Sequence, residues 1–307
     1  MRLTLFHNPS AGHGRHSADD LEQIARARGH TVHAHSLEGI DWDAALADLG
    51  DLVVVAGGDG TVGAVAIKMI GKPVPMAVIP MGTANNVASA LGVRGTPEEL
   101  VAAWEHSGPV GFDIGLAHGE QRSMPFLECV GVGEFGRLMA HSESIERSSK
   151  EEDRERKLER DLAHLRDRVA TSDGQGIELV IDGVDYSGEY LLAEIVNVWT
   201  IGPRLGLAPT AAIDDGKLHV VLVRADHRAE LVSYLERLRV GPTDSPELEV
   251  IAADRVELGC LVHDLHIDGE LWTGESPLVV PCERTRLGIT VLRSAVRFLR
   301  PKRTTSP

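Results

Sequence analysis

An α/β architecture is the fold class the sequence predicts: an N-terminal parallel-sheet domain followed by a C-terminal β-rich sandwich. Three observations predict it. In the first third, continuous apolar runs such as "DLVVVAGG" and "VPMAVIPMG" alternate with helical patterns, as strands buried on both faces do. From Val110 onward strand patterns dominate. The length of 307 residues exceeds what one compact core commonly holds.

In chain order, "RLTLF" is a strand ending at "HNPSAGHG". Ser17, with Asp20 three residues on, opens a helix that Gly29 ends. "TVHAH" is a second strand, "DWDAALADL" a short helix and "DLVVVAGG" a buried strand. "TVGAVAIKMIG" is a helix starting near Thr61, "VPMAVIPMG" a strand and "ANNVASALGV" a helix. Thr96, Pro97 and Glu99 open the next with capping-box spacing and Pro at the first helical position. The alternation argues for a parallel sheet with helices on both faces.

The later strands are "VGFDIGLA", "SMPFLECVGVG", "GIELVIDG", "YSGEYLLAEIVNV", "KLHVVLVR", "EVIAADRVELG", "HDLHIDGELW" and "TRLGITVL", with "HGEQ" and "DGVD" as hairpin turns. Two helices interrupt them. One is "DHRAELVSYLERLRVG". The other, "SKEEDRERKLERDLAHLRDRVATSDG", is highly charged, with a narrow stripe of Leu158, Leu162, Leu165 and Val169 and supporting pairs Glu152–Arg156 and Asp153–Lys157. A surface helix packed by its stripe is favoured over a coiled-coil seam, since only two heptads are present. The basic tail "VRFLRPKRTTSP" is expected to fray.

The net charge of −15 argues against broad nucleic-acid binding. Three cysteines, Cys129, Cys260 and Cys282, form no CxxC pair and read as free thiols of a reducing compartment. The N-terminus has no signal-peptide core, and no run approaches the roughly 18 apolar residues of a membrane span. The expectation is a cytoplasmic protein whose membrane contact is peripheral.

The stretch "VVVAGGDGTVGAV" carries the chemistry. Gly58, Gly60 and Gly63 spell GxGxxG between a strand and a helix. However, the next strand ends in Ile79, Pro80 and Met81, not in a ribose-binding acid, and Asp59 would face a pyrophosphate unneutralised. No GK[ST] follows, so a P-loop fails. A divalent cation between protein and phosphate accounts for Asp59, because Mg²⁺ takes one or two carboxylates plus phosphate oxygens. The bland alternative is a tight turn whose Asp caps the helix.

"GGDGT", with "HNPSAG" upstream and "IPMGTANNVA" downstream, resembles the diacylglycerol kinase catalytic family, which includes bacterial lipid kinases and sphingosine and ceramide kinases. The resemblance continues in order through "GPRLGLAPTAAIDDGKLHVVLV" and "LHIDGEL", and so covers nearly the whole chain. It implies an N-terminal α/β domain related to NAD kinases, residues 1–115, and a C-terminal β-rich domain, 116–289, with about 290–307 returning to the first. It implies ATP in a cleft, Mg²⁺ and an amphiphilic lipid substrate, with a homodimer left open. By the same resemblance Asn8, Ser36, Gly57, Gly58, Asp59, Gly60, Thr61, Gly82, Thr83, Asn85 and Asp268 face the nucleotide. Asp215, with Asp214 beside it, is metal-linked, and Glu270 is the proton acceptor, with Asp59 in the catalytic group. Asn86 departs from the pattern, since many relatives carry Asp there.

The implied reaction is phosphoryl transfer to a lipid alcohol, which needs positioning, charge neutralisation and a base. An NAD kinase-like enzyme is disfavoured because the strand runs into "PMGTANN". A non-catalytic nucleotide- or lipid-binding relative is the other alternative. His30, His33 and His35 have no partner spaced for zinc, and no GxSxG appears.

Overall fold

The computed structural model describes residues 1–14, 16–120, 122–139, 154–261, 265–272 and 284–301. The first residues of the charged helix, its Glu152–Arg156 and Asp153–Lys157 pairs, and Cys282 lie outside the described residues. The chain forms two compact units: Met1–Asp113 with the segment from Arg293, and Ile114–Leu292.

The first unit is α/β. Strands β1 (Arg2–His7), β2 (Thr31–Ser36), β3 (Leu52–Gly57) and β4 (Met76–Pro80) form a parallel sheet in the order β4-β3-β1-β2. β3 is buried throughout, which is why its sequence is an unbroken apolar run. Helices α1 (Ala18–Ala27), α2 (Trp42–Ala47), α3 (Asp59–Met69), α4 (Asn86–Ala90) and α5 (Pro97–Ala103) connect and follow the strands. Ser17 and Thr96 close capping boxes with Asp20 and Glu99. Leu3, Leu5, Leu52, Val54, Ala77, Ile79 and Val101 pack into one core.

The second unit is a sandwich of antiparallel sheets. Its strands in chain order are the end of β5 (Ser107–His118), β6 (Ser123–Phe126), β7 (Cys129–Gly133), β8 (Gln175–Ile181), β9 (Val184–Asp185), β10 (Gly188–Tyr190), β11 (Leu192–Val196), β12 (Leu218–Val223), β13 (Glu249–Ala253), β14 (Arg255–Leu261), β15 (Leu265–Ile267), β16 (Glu270–Leu271) and the start of β17 (Arg284–Pro301). One sheet runs β13-β12-β11-β7-β15-β16; in the other, β14 lies between β8 and β17, with β10 beyond β8. Val130, Val132, Ile195, Val220, Leu179, Leu258 and Ile289 fill the space between them. Helix α6 (Arg154–Thr171) buries Leu162, Leu165 and Val169. It packs on α7 (Arg228–Val240), where Arg228 donates to the Val169 carbonyl at 2.6 Å.

Of the stretches expected as single strands, "HDLHIDGELW" holds the β15–β16 hairpin and three others cross between sheets. "SMPFLECVGVG" is β6 then β7, "YSGEYLLAEIVNV" is β10 then β11, and "EVIAADRVELG" is β13 then β14; in each pair the strands belong to different sheets. The apolar runs are continuous because both sides of each crossing are core. Two crossings are closed by an Asp-Gly turn. Asp182 has φ 48° and accepts N–H bonds from Asp254 and Arg255; Asp268 has φ 47° and accepts from Leu127, Glu128 and Cys129. Left-handed Asp-Gly turns thus make the hairpin and tie down a distant sheet crossing together.

Two further expectations are corrected. α3 begins at Asp59, not near Thr61, so Gly60 and Gly63 are helical. The tail does not fray as far as Pro301: β17 continues there, Val296 and Phe298 are buried, and Phe298 pairs with Met76 of β4. That strand has alternating burial, and the basic residues Arg293 and Arg297 take its exposed positions, which is why it read as a polar tail.

Candidate active site

In the first unit the two glycine-bearing loops lie directly against each other. Gly58, the extended N-cap of α3, comes so close to Gly82 that a Cβ on Gly58 would sit 2.9 Å from the Gly82 Cα. Only glycine permits that approach from both sides. The Asn85 amide clasps Gly82 from both directions, donating to its carbonyl at 2.9 Å and accepting from its N–H at 2.8 Å. Asn85 holds φ 55° to do so. Asn8 reaches from the end of β1 and donates to the Thr61 hydroxyl at 3.0 Å. Its own oxygen accepts from the Ser10 N–H and hydroxyl.

Asp59 joins the loops in a way no spacing reveals. Its Oδ1 accepts the Val87 N–H at 3.0 Å, and the backbone N–H groups of Asn85 and Asn86 also face its carboxylate. The acid therefore caps α4, a helix 27 residues ahead in the chain, while also facing the first N–H of its own helix. Burial pushes its carboxyl up from the ordinary carboxylate range, and these backbone donors pull the other way. Asn86 is buried at the first position of α4. The N-cap of α3 is Gly58, which supplies no capping side chain, and the positive end of the helix lies at this loop. Gly57 ends β3, where a Cβ would overlap Thr61. Thr83 lies within the Gly82–Asn85 clasp, and Ser36 is exposed at the end of β2, accepting from Glu38 N–H. His33 and His35 are ring neighbours, and His35 stacks on Phe6.

In the second unit Asp215 shapes a tight turn. It accepts N–H bonds from Ala212 and Lys217 and faces His219 Nε2 at 2.9 Å, while Asp214 beside it is exposed. Asp268 and Glu270 belong to the β15–β16 hairpin. Both Asp268 oxygens are taken by backbone N–H groups at 2.8–3.0 Å, yet burial raises its carboxyl to about 6. Glu270 is exposed just past the turn. The residues sequence reasoning missed are Glu194 and His266, both fully buried, with Cys129 near them. The one available signal was a Glu inside the apolar run "LLAEIVNV".

Comparison with known proteins follows the same two-part division. Residues 2–117 match the diacylglycerol kinase catalytic domain and residues 144–292 the YegS C-terminal NAD kinase beta sandwich-like domain. The chain belongs to the diacylglycerol kinase catalytic family, a family of lipid kinases. A relative named "Diacylglycerol kinase" from Mycobacterium tuberculosis is 25% identical over 98% of this chain and 96% of its own. Another of that name from Bacillus subtilis is 25% identical over 88% and 89%. A crystal structure of a diacylglycerol kinase from Bacillus anthracis shares the fold, with a TM-score of 0.66 at 17% identity over 98% of this chain and 97% of that one.

Proposed function

We propose that this protein is an ATP- and Mg²⁺-dependent lipid kinase that transfers the γ-phosphoryl group of ATP to a hydroxyl of a diacylglycerol-like lipid. The observation that carries the proposal is the Gly58–Gly82 approach beneath the open N-terminus of α3. Two loops held backbone to backbone bring the positive end of α3 beside the Asn8, Ser10 and Thr61 hydroxyl and amide groups. That donor set suits a polyphosphate. Gly57, Gly60, Thr83 and Ser36 complete the nucleotide side of the proposal.

The donor chemistry is also compatible with Mg²⁺. Asp215 and Asp214, both exposed in the second unit, are the carboxylates proposed as metal-linked, and Asp215 also accepts the Lys217 N–H. When bound, the ion supplies charge neutralisation on the transferring phosphate. The chain's own residues do the rest. The α3 N–H groups and Asn8 orient the phosphates, Asp59 holds the two loops in register, and Glu270 accepts the proton of the lipid hydroxyl. No helix among the described residues is long and apolar enough to cross a membrane. We therefore place lipid encounter at the membrane surface, by peripheral contact.

The test is transfer of radiolabel from γ-labelled ATP to lipid extract, with purified protein and Mg²⁺. Labelled lipid is expected, with little label on NAD. Asp59→Asn and Glu270→Gln are expected to lower turnover at least 100-fold. Wild-type turnover in either variant removes that residue from the mechanism. Labelling of NAD in preference to lipid would install the NAD kinase-like alternative, and no labelled product at all the binding-only one.

A further inference from the structure

The Glu194–His266 pair has no part in the scheme above. Both side chains are 0% exposed, and the imidazole Nε2 lies 3.1 Å from each carboxylate oxygen. They arrive from opposite sides of β7: Glu194 of β11 and His266 of β15 are both register partners of Gly131. Gly131 has no side chain for a physical reason, since a Cβ there would overlap the Glu194 carboxylate. The two residues close over the bare strand and bond above it. Phe135 covers the imidazole edge-on, with ring centroids 4.8 Å apart.

Such a pair is costly to bury and is weak evidence for stability; its best-attested use is to fix a register. The need for a register device is local. Among the described residues β15 has three residues and pairs with β7 at three positions, and β16, with two residues, is the edge of the sheet. A ladder that short specifies its register weakly, and a slip by one residue would turn His266 toward the apolar core between the sheets. Glu270 stands four residues beyond His266, opposite Ile267 of the same strand. Wherever β15 is set, Glu270 is set with it.

We infer that Glu194 and His266 are positioning residues that lock β15 on β7 across Gly131 and so fix the placement of Glu270. The inference rests on the proposed role of Glu270 as proton acceptor. A metal centre is the competing use of this cluster, because the Cys129 thiol joins the two and the three ligand atoms lie within 4.8 Å of one another. Two features oppose it. Burial, with the nearby Glu194, Glu128 and Asp268 carboxyls, pushes the thiol well above its usual range, away from the thiolate a metal binds. Among the described residues His266 Nδ1 is buried without a hydrogen-bond partner, whereas a metal-bound imidazole almost always donates its second nitrogen to one.

The experiment compares Glu194→Met/His266→Met, which leaves no unpaired charge, with wild type and Glu270→Gln in the labelled-ATP assay. The double variant is expected to melt at or above the wild-type temperature, keep KM for ATP within twofold, and lose at least tenfold in kcat. A purely structural pair would leave kcat per folded molecule unchanged, so a folded double variant within twofold of wild type overturns the inference. If the double variant does not fold, Glu194→Gln, which keeps the shape, is read by the same criteria. Full turnover in Glu270→Gln defeats the proton-acceptor role on its own, and a loss in the double variant beside it would overturn positioning through Glu270. Zinc at one equivalent in the wild type and absent from the double variant would also overturn the inference, in favour of a metal centre.

Discussion

At the residue scale, Asp59 shows how one side chain can combine two readings. Its position in "GGDGT" points to phosphate chemistry, and its contacts make it the cap of α4. Truncation therefore costs stability as well as activity: Asp59→Ala is expected to lose about 1–2 kcal/mol, as a lost helix cap does, while Asp59→Asn keeps an acceptor and loses less. Denaturant melts of the two variants check this. Gly60 and Gly63 separate the same two roles. Both are helical, and a Cβ at either meets nothing within 4 Å. Gly63→Ala and Gly60→Ala are each expected to gain about 0.5–1 kcal/mol. Under the proposed function, Gly60→Ala alone is expected to raise KM for ATP, because it adds a methyl group at the first turn of α3, where the phosphates would lie. Equal KM in both variants would move the phosphates elsewhere.

Asp268 carries a pH signature. Burial holds its carboxyl near 6, above the ordinary carboxylate value of about 4. Between those values the folded protein keeps a proton that the unfolded chain has released, so this group's contribution to stability is complete below about pH 4 and declines as pH rises to about 6. The loss is at most about 3 kcal/mol. The stability difference between wild type and Asp268→Asn is expected to shift against the wild type over that window and level off above it. A difference independent of pH from 4 to 7 would contradict this.

At the element scale, Gly131 is a position of β7 with no space for a side chain. Gly131→Ala drives a methyl group into the Glu194–His266 pair at a site with no room to relax. Overpacking joined to a disturbed buried hydrogen-bonded pair is expected to cost about 3 kcal/mol or more, read as a lowered denaturation midpoint. Substitution of Gly176 in the neighbouring sheet, where a Cβ meets nothing within 4 Å, is the control. The elements also show where sequence reading failed. Hydrophobic periodicity reports burial, not sheet membership, so the crossings near Leu127, Leu191 and Asp254 were silent within apolar runs. The capping boxes at Ser17 and Thr96 were legible because the bonds they make are three residues long.

At the scale of the whole molecule, β17 makes the two ends of the chain interdependent. Its first half completes a sheet of the sandwich beside β14, and its last residues return to the α/β unit beside β4. A chain ending at Leu292 would strip Val296 and Phe298 from the first unit's core and leave β4 with an open edge. Removing two buried side chains of this size is expected to cost about 4 kcal/mol or more, enough to unfold a marginal domain. Circular dichroism and loss of ATP binding in the truncated protein check it. Retained ATP binding at full stability would show that the α/β unit stands without its last strand.

The sequence by itself determined the fold class, the helix caps, the glycine-bearing loops and the family, because each is written in local spacing or in ordered motifs. Tertiary structure alone decided that Asp59 caps a helix 27 residues away, that Asp182 and Asp268 close sheet crossings, and that Glu194 meets His266 over a bare Gly131. These are contacts between positions far apart in the chain. They are set by strand register and backbone approach, and neither composition nor periodicity carries that information.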